Sequence, residues 1–526
     1  MTAVAGSGLT PRVSSATLDS LADEVSASRE GANIAVLAPF TESEIGTVPA
    51  STPDDVAAAV ARARRAQETW AATPVRERAR VLSRFHDLLI DHADVAMDII
   101  QLEAGKARIP AFEEVYDTVA TTHYYLKTGP GLLARKRRAV SFPVLTTAYE
   151  YRHPVGVVGA ITPWNFPFTL SISDVLPALL AGNTVLVKPD EKTPFSVLYG
   201  KRLLTEAGAP EDVFQVVTGH GEELGPALVD EVDFVMFTGS TSVGRSVSEQ
   251  AGRRLIGSSM ELGGKNAAIV MSDARLDQAI PGISRAIFAN GGQLCIAMER
   301  VYVDEAIRDQ FVDRLVAHTR ELEMTTRFDF SSALSSMISR PHLEKVQAHV
   351  DDAVAKGAAL LVGGKPRPDV GPLFYEPTLL TDVDETMEVC RGETFGPVAS
   401  IYGYHDIDEA IAAANDSEFG LNFSVWSGDT RAAVAVASRL QAGTVGVNDG
   451  YAAAWSSFDA PMGGMKASGL GRRHAAQGIL KYTESQTVAV QRIAPAFAPF
   501  AGLAYEKYHK LLGRVLKFLK WIPFYK

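Results

Sequence analysis

Residues 232–251 read VDFVMFTGSTSVGRSVSEQA, which combines an apolar strand, a glycine turn and the start of a helix. The strand ends at Gly239 and Ser240, and Gly244 opens the helical pattern. Such a βα unit belongs to a parallel sheet, which places ligands beyond the carboxyl ends of its strands. The spacing is neither GxGxxG nor that of a P-loop, yet a helix start after a glycine turn still suits an anion such as pyrophosphate.

A second unit of this kind precedes it, with a β-branched run at Thr184 to Val187 that ends in the polar loop KPDEKTP. Lys188 and Glu191 lie three residues apart in this loop. A lysine there can bond ribose hydroxyls or phosphate, and a carboxylate can accept from the hydroxyls of an adenine ribose. The alternative is a solvated charged turn.

The stretch FANGGQLCIA at residues 288–297 carries one cysteine beside two glycines. Gly291 and Gly292 permit a close backbone approach to a ligand, and the thiolate of Cys295 is a strong nucleophile. An inert, buried thiol is the alternative. Glu261, in MELGGKNAAIV, precedes a strand of small apolar residues, which is an unusual place for a carboxylate that is neither used nor paired.

The composition limits the class of protein. A chain of 526 residues predicts about three lobes, and 46% apolar with 21% charged residues is typical of a soluble globular protein. The net charge of −11 argues against a nucleic-acid partner. Two cysteines provide neither a disulfide framework nor a metal cluster, so we predict no metal site and a cytoplasmic location. Neither a signal peptide nor a membrane-spanning stretch is recognisable.

Two alternating runs, TTAYEYRHP near residue 150 and SQTVAVQR at residues 485–492, read as strands. They can pair with each other or with a neighbouring subunit.

Seven motifs together carry a resemblance to a known family: PWNFPF, KPDEKTP, FTGSTSVG, MELGGKN, FANGGQLCIA, ETFGPV and MGGMKASGLGR. Their order and spacing resemble the aldehyde dehydrogenase superfamily over about residues 30 to 495, and most of all its bacterial succinate-semialdehyde dehydrogenases. The resemblance implies an α/β fold with a doubly wound cofactor-binding lobe, an α/β catalytic lobe, an oligomerisation β-hairpin and a homodimer or homotetramer.

The resemblance also divides the chain. It implies the following segments: a flexible lead-in at 1–30, an NAD(P)-binding domain at 31–139 and 159–263, a catalytic domain at 264–478, an oligomerisation arm at 140–158 and 479–495, and a C-terminal extension at 496–526.

By the resemblance, Cys295 attacks an aldehyde, Asn165 and the backbone N–H of Cys295 hold the oxyanion, and Glu261 activates the water that hydrolyses the thioester. Members of the family that pass the acyl group to coenzyme A generally lack this glutamate. An acylating or ester-hydrolysing enzyme is therefore a weaker alternative, and a non-catalytic protein on the same fold is a remote one.

The resemblance further implies NAD or NADP as the cofactor. Its adenosine and pyrophosphate would lie near Trp164, Lys188, Glu191, Gly239 and Ser240. Leu262, Glu393 and Phe395 would lie near the nicotinamide and its ribose. Glu191 favours NAD because a carboxylate repels a 2′-phosphate, while the neighbouring lysines permit use of both cofactors.

The substrate remains open between succinate semialdehyde and an aliphatic or aromatic aldehyde. The arginines that hold the substrate carboxylate in relatives are replaced by Ser173 and Ala289. We expect an apolar entrance formed by Phe168, Leu170, Trp455 and Phe458, with Arg473 as one cation that could replace the missing arginines. Relatives often carry a glutamate where this chain has Arg473, so a proton-relay role is not transferred to it.

The end of the chain extends beyond the family resemblance. Residues 503–526 carry six bases and one acid. Their apolar residues, Tyr508, Leu511, Val515, Phe518, Leu519 and Ile522, recur at helical spacing. This basic amphipathic helix predicts one of two contacts. We favour docking on the acidic body or on a neighbouring subunit, and the alternative is peripheral membrane contact.

Overall fold

The computed structural model describes residues 11–28, 31–140, 145–492, 499 and 502–521. The strands are β1 Asn33–Ala38, β2 Ser43–Pro49, β3 Lys136–Arg138, β4 Thr146–Pro154, β5 Val157–Ile161, β6 Thr184–Lys188, β7 Phe214–Val216, β8 Phe234–Thr238, β9 Gly257–Glu261, β10 Asn266–Val270, β11 Met298–Asp304, β12 Ala359–Val362, β13 Thr378–Thr381, β14 Val398–Tyr404, β15 Phe419–Gly420, β16 Asn422–Trp426, β17 Thr444–Val447, β18 Met465–Lys466, β19 Gly469–Leu470 and β20 Thr483–Gln491.

The helices are α1 Ser15–Ala22, α2 Pro53–Ala72, α3 Val75–Asp91, α4 Ala93–Ala104, α5 Arg108–Leu133, α6 Leu176–Ala181, α7 Pro194–Glu206, α8 Gly221–Glu231, α9 Thr241–Arg254, α10 Leu276–Phe288, α11 Arg308–Arg320, α12 Arg340–Ala355, α13 Glu388–Arg391, α14 Ile407–Asn415, α15 Thr430–Ala437, α16 Ala452–Trp455, α17 Ala475–Leu480 and α18 Tyr505–Leu519. Four helices, α2 to α5, follow one another after β2, and most of the others lie between strands. A short π-helical turn spans Thr169–Ser173, and a 3₁₀ turn spans Ala289–Gly292.

The first large sheet has six strands in the order β19-β9-β8-β5-β6-β7. Strands β5 to β9 pair in parallel, and β19 joins the edge antiparallel to β9. Every residue of β5, β6 and β8 is buried, as expected for parallel strands covered by helices on both faces. The βα units predicted from residues 184 and 232 onward therefore belong to one sheet.

The second large sheet has seven strands in the order β12-β13-β14-β11-β10-β16-β17. All neighbours are parallel except β12, which pairs antiparallel with β13. After this sheet is complete, the chain returns through β19 to the first sheet. This return places the last glycine-rich loop against Glu261, which is the register partner of Gly469.

The two alternating runs form β4 and β20, which pair antiparallel from Thr146↔Gln491 to Pro154↔Thr483. The prediction that they can pair with each other is therefore confirmed, and β3 extends them to a three-stranded sheet. Residues 141–144 and 493–495 of the predicted arm lie outside the described residues.

Both ends of the chain differ in part from expectation. A flexible lead-in was predicted for residues 1–30, but residues 15–22 form helix α1, because Leu18 and Leu21 are completely buried in the main core. At the other end, α18 exposes most of its side chains, and Tyr508 is its buried residue. Ile522 lies outside the described residues. Across the described ranges, every helix is too short or too polar to cross a bilayer.

Candidate active site

The predicted site residues meet where the two large sheets face each other. Trp164 and Asn165 follow β5, Gly239 and Ser240 follow β8, and Glu261 ends β9. These are the carboxyl ends of parallel strands in the first sheet, where such sheets bind ligands. The loops that carry Cys295 and Glu393 come just before β11 and β14, at the amino ends of the second sheet.

The loop that carries Cys295 is fixed by left-handed backbone and by one buried amide. Asn290, Gly291 and Gly292 have φ of 53°, 64° and 70°. The side chain of Gln293 donates to the carbonyls of Asn290 (3.0 Å) and Ser336 (2.9 Å), and its oxygen accepts from the N–H of Ile338 at 2.9 Å. This network holds the cysteine loop in one conformation.

Cys295 itself is half-buried, which fits a nucleophile better than an inert core thiol. Its carbonyl accepts from Asn266 Nδ2 at 2.7 Å, and a β carbon on Gly264 would stand 2.7 Å from the same oxygen. Burial raises the pKa of the thiol to about 12, and the charge of Glu393 adds to the increase. In this state the sulfur is therefore protonated at neutral pH.

Asn165 lies against the cysteine loop. Its side-chain Nδ2 donates to the backbone carbonyl of Gln293 at 3.1 Å, and its backbone carbonyl accepts from Asn290 Nδ2 at 3.0 Å. Because a side-chain amide nitrogen carries two N–H groups, one bond to Gln293 leaves a second donor. The side chain is thus held beside Cys295 with hydrogen-bonding capacity to spare.

Glu261 is buried at the carboxyl end of β9, and its Oε1 has no hydrogen-bond partner among the described residues. Burial raises the pKa of Glu261 to about 7, although the positive charges of Arg473 and Lys481 oppose the increase. A carboxyl group with a pKa near the operating pH suits general base catalysis.

A cavity of about 210 Å³ unites most of the predicted site. It is lined by Pro163, Trp164, Asn165, Thr238, Gly239, Ser240, Glu261, Leu262, Gly263, Cys295, His342, Lys345, Glu393 and Phe395. Lys188 and Glu191 do not line this cavity, but they lie at the same edge of the first sheet, since Lys188 is the register partner of Ile161 in β5.

The polar loop after β6 is a compact cluster of charges. Lys192 Nζ lies 3.2 Å from carboxylate oxygens of both Asp190 and Glu191, and Lys188 Nζ lies 3.7 Å from Glu191. The nearby lysines lower the pKa of Glu191 despite its partial burial. Glu191 is thus an anion whose charge is partly neutralised by two lysines.

The loop that carries Glu393 and Phe395 is held in place by the buried carboxylate of Glu299. Glu299 is buried, pairs with Lys265 and accepts from the N–H groups of Thr394 and Phe395. This anchoring stabilises Phe395 at φ 58°, a conformation unusual for an aromatic residue. Glu393 accepts from the N–H of Gly264 at 2.7 Å, and burial raises its pKa to about 7.

Sequence analysis missed His342 and Lys345, which enter this cavity from α12. His342 Nε2 donates to the carbonyl of Phe395 at 2.8 Å, and its ring lies 5.3 Å from that of Trp164. Burial lowers the pKa of His342 to about 4, so it is neutral. No local motif marks these residues, because only tertiary packing brings α12 to the site.

A second cavity, of about 200 Å³, lies on the other side of the cysteine loop and is named the substrate cavity here. Its lining comprises Glu113, Glu114, Tyr116, Asp117, Ala120, Phe166, Thr169, Arg285, Leu294, Ile296, Tyr451, Ala452, Trp455, Ser456 and Phe458. Leu294 and Ile296 flank Cys295, so the nucleophile lies between the two cavities.

The expected apolar entrance is correct for Trp455 and Phe458, and wrong for two other residues. Phe168 is completely buried in the main core, because the π-helical turn that follows it directs the segment inward. Leu170 packs in the cluster behind Phe166 instead of lining the substrate cavity. Arg473 also lies outside that lining: it is buried, pairs with Asp174 and lies over the ring of Trp455.

Comparison with known proteins identifies relatives across most of the chain. Residues 25–488 match the model of the aldehyde dehydrogenase family. A putative succinate-semialdehyde dehydrogenase [NADP(+)] of Mycolicibacterium smegmatis is 50% identical over 484 residues, which are 92% of this chain and 93% of that protein.

Solved structures of aldehyde dehydrogenases are also similar to this chain. A succinate-semialdehyde dehydrogenase from Burkholderia pseudomallei has a TM-score of 0.85 at 35% identity, covering 89% of this chain and 96% of its own. The NAD+ complex of an aldehyde dehydrogenase from Bacillus cereus has a TM-score of 0.84 at 33% identity, covering 88% and 94%.

Proposed function

The chain belongs to the aldehyde dehydrogenase family, and on that premise we propose that it oxidises succinate semialdehyde to succinate with Cys295 as the nucleophile. One observation carries the assignment of residues. Cys295, Asn165 and Glu261, whose Oε1 has no hydrogen-bond partner among the described residues, line a single cavity between the strand ends of the two sheets. A nucleophile, an oxyanion donor and a base are the groups that aldehyde oxidation through a thioester requires.

The proposed reaction begins when the thiol of Cys295 loses its proton to solvent, its sulfur bonds to the aldehyde carbon and the carbonyl π electrons move to oxygen. The spare N–H of Asn165 donates to that oxyanion, a contact whose removal typically costs about 3 to 4 kcal/mol of transition-state stabilisation. Loss of hydride from the carbon re-forms the carbonyl as a thioester. Glu261 then takes a proton from water, whose oxygen attacks the thioester and releases the acid and the thiol.

The residues present fit a nicotinamide dinucleotide, and the family is NAD(P)-dependent. Bound NAD(P)+ supplies the hydride acceptor. Ser240 caps α9, whose first N–H groups and glycine turn suit a pyrophosphate. Leu262, Glu393 and Phe395 line the cavity beside Cys295, and Glu191 lies at the same sheet edge for the ribose hydroxyls.

The choice of substrate rests on the names of the relatives and on the size of the substrate cavity. A second candidate is an aliphatic or aromatic aldehyde. It is favoured by the walls of the same cavity, where Phe166, Trp455 and Phe458 present apolar surface. The two candidate substrates differ in whether the end of the molecule remote from the aldehyde carries a negative charge.

Initial rates of NADH and NADPH formation test this proposal. Succinate semialdehyde is compared with butanal, its uncharged four-carbon analogue, and with benzaldehyde. We expect the highest kcat/KM for succinate semialdehyde. A higher kcat/KM for butanal or benzaldehyde would support the second candidate, and absence of turnover with all three would contradict the reaction class.

We also propose that the chain forms a homodimer or homotetramer through the β3-β4-β20 sheet. Strand β20 is an edge strand, and its Val488 and Val490 are 38% and 47% exposed. Exposed edges with apolar side chains tend to pair with another chain. Light scattering tests this, with Val488→Lys and Val490→Lys expected to shift the protein towards monomer. A wild-type monomer would contradict the proposal.

For the C-terminal helix we propose contact with an anionic membrane surface. The apolar face of α18 exposes Leu511 (49%) and Phe518 (67%), while Lys510, Arg514 and Lys517 occupy its other side. Tyr508 of this face is buried, but docking of the whole face on the body, which the sequence favoured, would cover Leu511 and Phe518 as well. Co-sedimentation with anionic vesicles tests the proposal, using neutral vesicles and Phe518→Glu as controls. Protein that stays in solution with both kinds of vesicle would contradict it.

A cytoplasmic location is also proposed, since a reducing compartment keeps the Cys295 thiol free.

A further inference from the structure

The substrate cavity requires a cation if its substrate carries a carboxylate. A buried carboxylate without a cationic partner is costly. Ser173 and Ala289 provide no charge, and Arg473 lies outside the cavity in an ion pair with Asp174. Lys106 is also unavailable, because it is completely buried behind Phe166 and bonds Glu114 Oε1 at 2.6 Å.

Arg285 is the sole lysine or arginine among the described residues that line this cavity. It lies near the end of α10, and its side chain is 54% exposed, which places it at the mouth. One of its terminal nitrogens pairs with Glu113 Oε1, and its guanidinium carbon lies 5.6 Å from the ring centre of Tyr451.

Glu113 and Tyr451 fix the position of this guanidinium. The hydroxyl of Tyr451 donates to Glu113 at 3.2 Å, so the carboxylate is held from two sides. Glu113 uses one terminal nitrogen of Arg285, whereas a guanidinium carries five N–H donors. Donors therefore remain for a second carboxylate, the geometry in which arginine binds such groups best.

We propose that Arg285 is the specificity-determining residue that binds the distal carboxylate of the substrate, with Glu113 and Tyr451 as positioning residues. This inference rests on the proposed function. It places the carboxylate at the mouth and the aldehyde at Cys295, with Leu294 and Ile296 between them. The recognised substrates are thus aldehydes with a terminal acid group.

The test is the ratio of kcat/KM for succinate semialdehyde to that for butanal, which differ in the carboxylate alone. In Arg285→Gln we expect this ratio to fall about tenfold to a hundredfold, mainly through KM for the acid, as for loss of a charged hydrogen bond. Arg285→Lys keeps the charge and should recover part of the ratio. Arg314→Ala, which removes an arginine of α11 that is paired with Asp277, should leave the ratio unchanged.

The outcomes separate this inference from the proposed function. Wild-type turnover of succinate semialdehyde reports on the function, and the ratio in Arg285→Gln reports on the residue. If the wild type prefers succinate semialdehyde and Arg285→Gln keeps that preference, the proposed role of Arg285 is overturned and the proposed function stands. A wild-type enzyme that does not use the acid would overturn both. Thermal melting of each variant shows whether a lost rate reflects misfolding.

Discussion

Gly292 lies so close to Gly396 that a β carbon on Gly292 would stand 2.0 Å from the carbonyl oxygen of Gly396. This contact joins the loop of Cys295 directly to the loop of Glu393 and Phe395. Gly292 also has φ of 70°, which a residue with a side chain adopts only at a cost. The loops of the proposed nucleophile and of the proposed ribose-binding carboxylate thus meet at one backbone contact.

The contact predicts that Gly292→Ala separates the two loops. A shift of about 1 Å at a reacting group can lower a rate about a hundredfold, so we expect a loss of at least that size in kcat/KM. The control is Gly131→Ala in α5, where an added β carbon meets nothing within 4 Å. Wild-type activity in Gly292→Ala would contradict the importance of the contact.

The raised pKa of Glu261 predicts a pH dependence of thioester hydrolysis. The base must be unprotonated, so the rate should rise as the pH increases through about 7 and level off above it. Steady-state rates measured from about pH 5.5 to about pH 9, in steps of about half a pH unit, would show this rising limb of the pH profile. In Glu261→Gln the limb should disappear along with most of the turnover. A limb that persists in the variant would assign the base to another group.

The charges after β6 predict the cofactor preference. Glu191→Ser removes the anion that repels a 2′-phosphate and leaves Lys188 and Lys192, so kcat/KM for NADP should increase relative to NAD by about tenfold. Glu321→Ser, an exposed change at the end of α11, serves as the control. An unchanged ratio of the two cofactors would place the adenine ribose away from Glu191.

The buried pair of Lys106 and Glu114 predicts a large effect on stability. Glu114 also accepts from the N–H groups of Phe168 and Thr169, which begin the π-helical turn behind the substrate cavity. Glu114→Gln leaves a buried ammonium without its counter-charge, at a cost of about 3 to 5 kcal/mol.

Denaturant midpoints measure this effect. Glu77→Gln is the matched control, because it breaks an exposed pair with Arg80 that is typically worth less than about 1 kcal/mol. Equal midpoints for the two variants would contradict a structural role for the buried pair.

The sequence predicted those features that contiguous motifs encode. The family comparisons confirm the α/β fold, the family and the NAD(P)-dependent oxidoreductase class. The residues of the proposed site came from short glycine-rich motifs, and most of them line one cavity. Their catalytic and binding roles, like the domain boundaries, stay predictions.

Features that depend on packing between distant segments were not predictable. Arg285 and His342 lie on helices without a motif. They reach the cavities only because α10 packs against the cysteine loop and α12 against the loop of Glu393 and Phe395. Phe168 was misplaced because a π-helical turn is not visible in apolar periodicity. Leu18 and Leu21 were assigned to a flexible segment because one short helix gives too weak a pattern to predict burial.

The central claim is that Cys295 forms a thioester which Glu261 helps to hydrolyse, and a pre-steady-state measurement of NAD(P)H formation tests it most directly. With Glu261→Gln and succinate semialdehyde we predict a rapid burst of at most one NAD(P)H per active site, followed by very slow turnover. Cys295→Ala should give no burst while still binding the cofactor. A burst in Cys295→Ala, or rapid steady-state turnover in Glu261→Gln, would contradict the account.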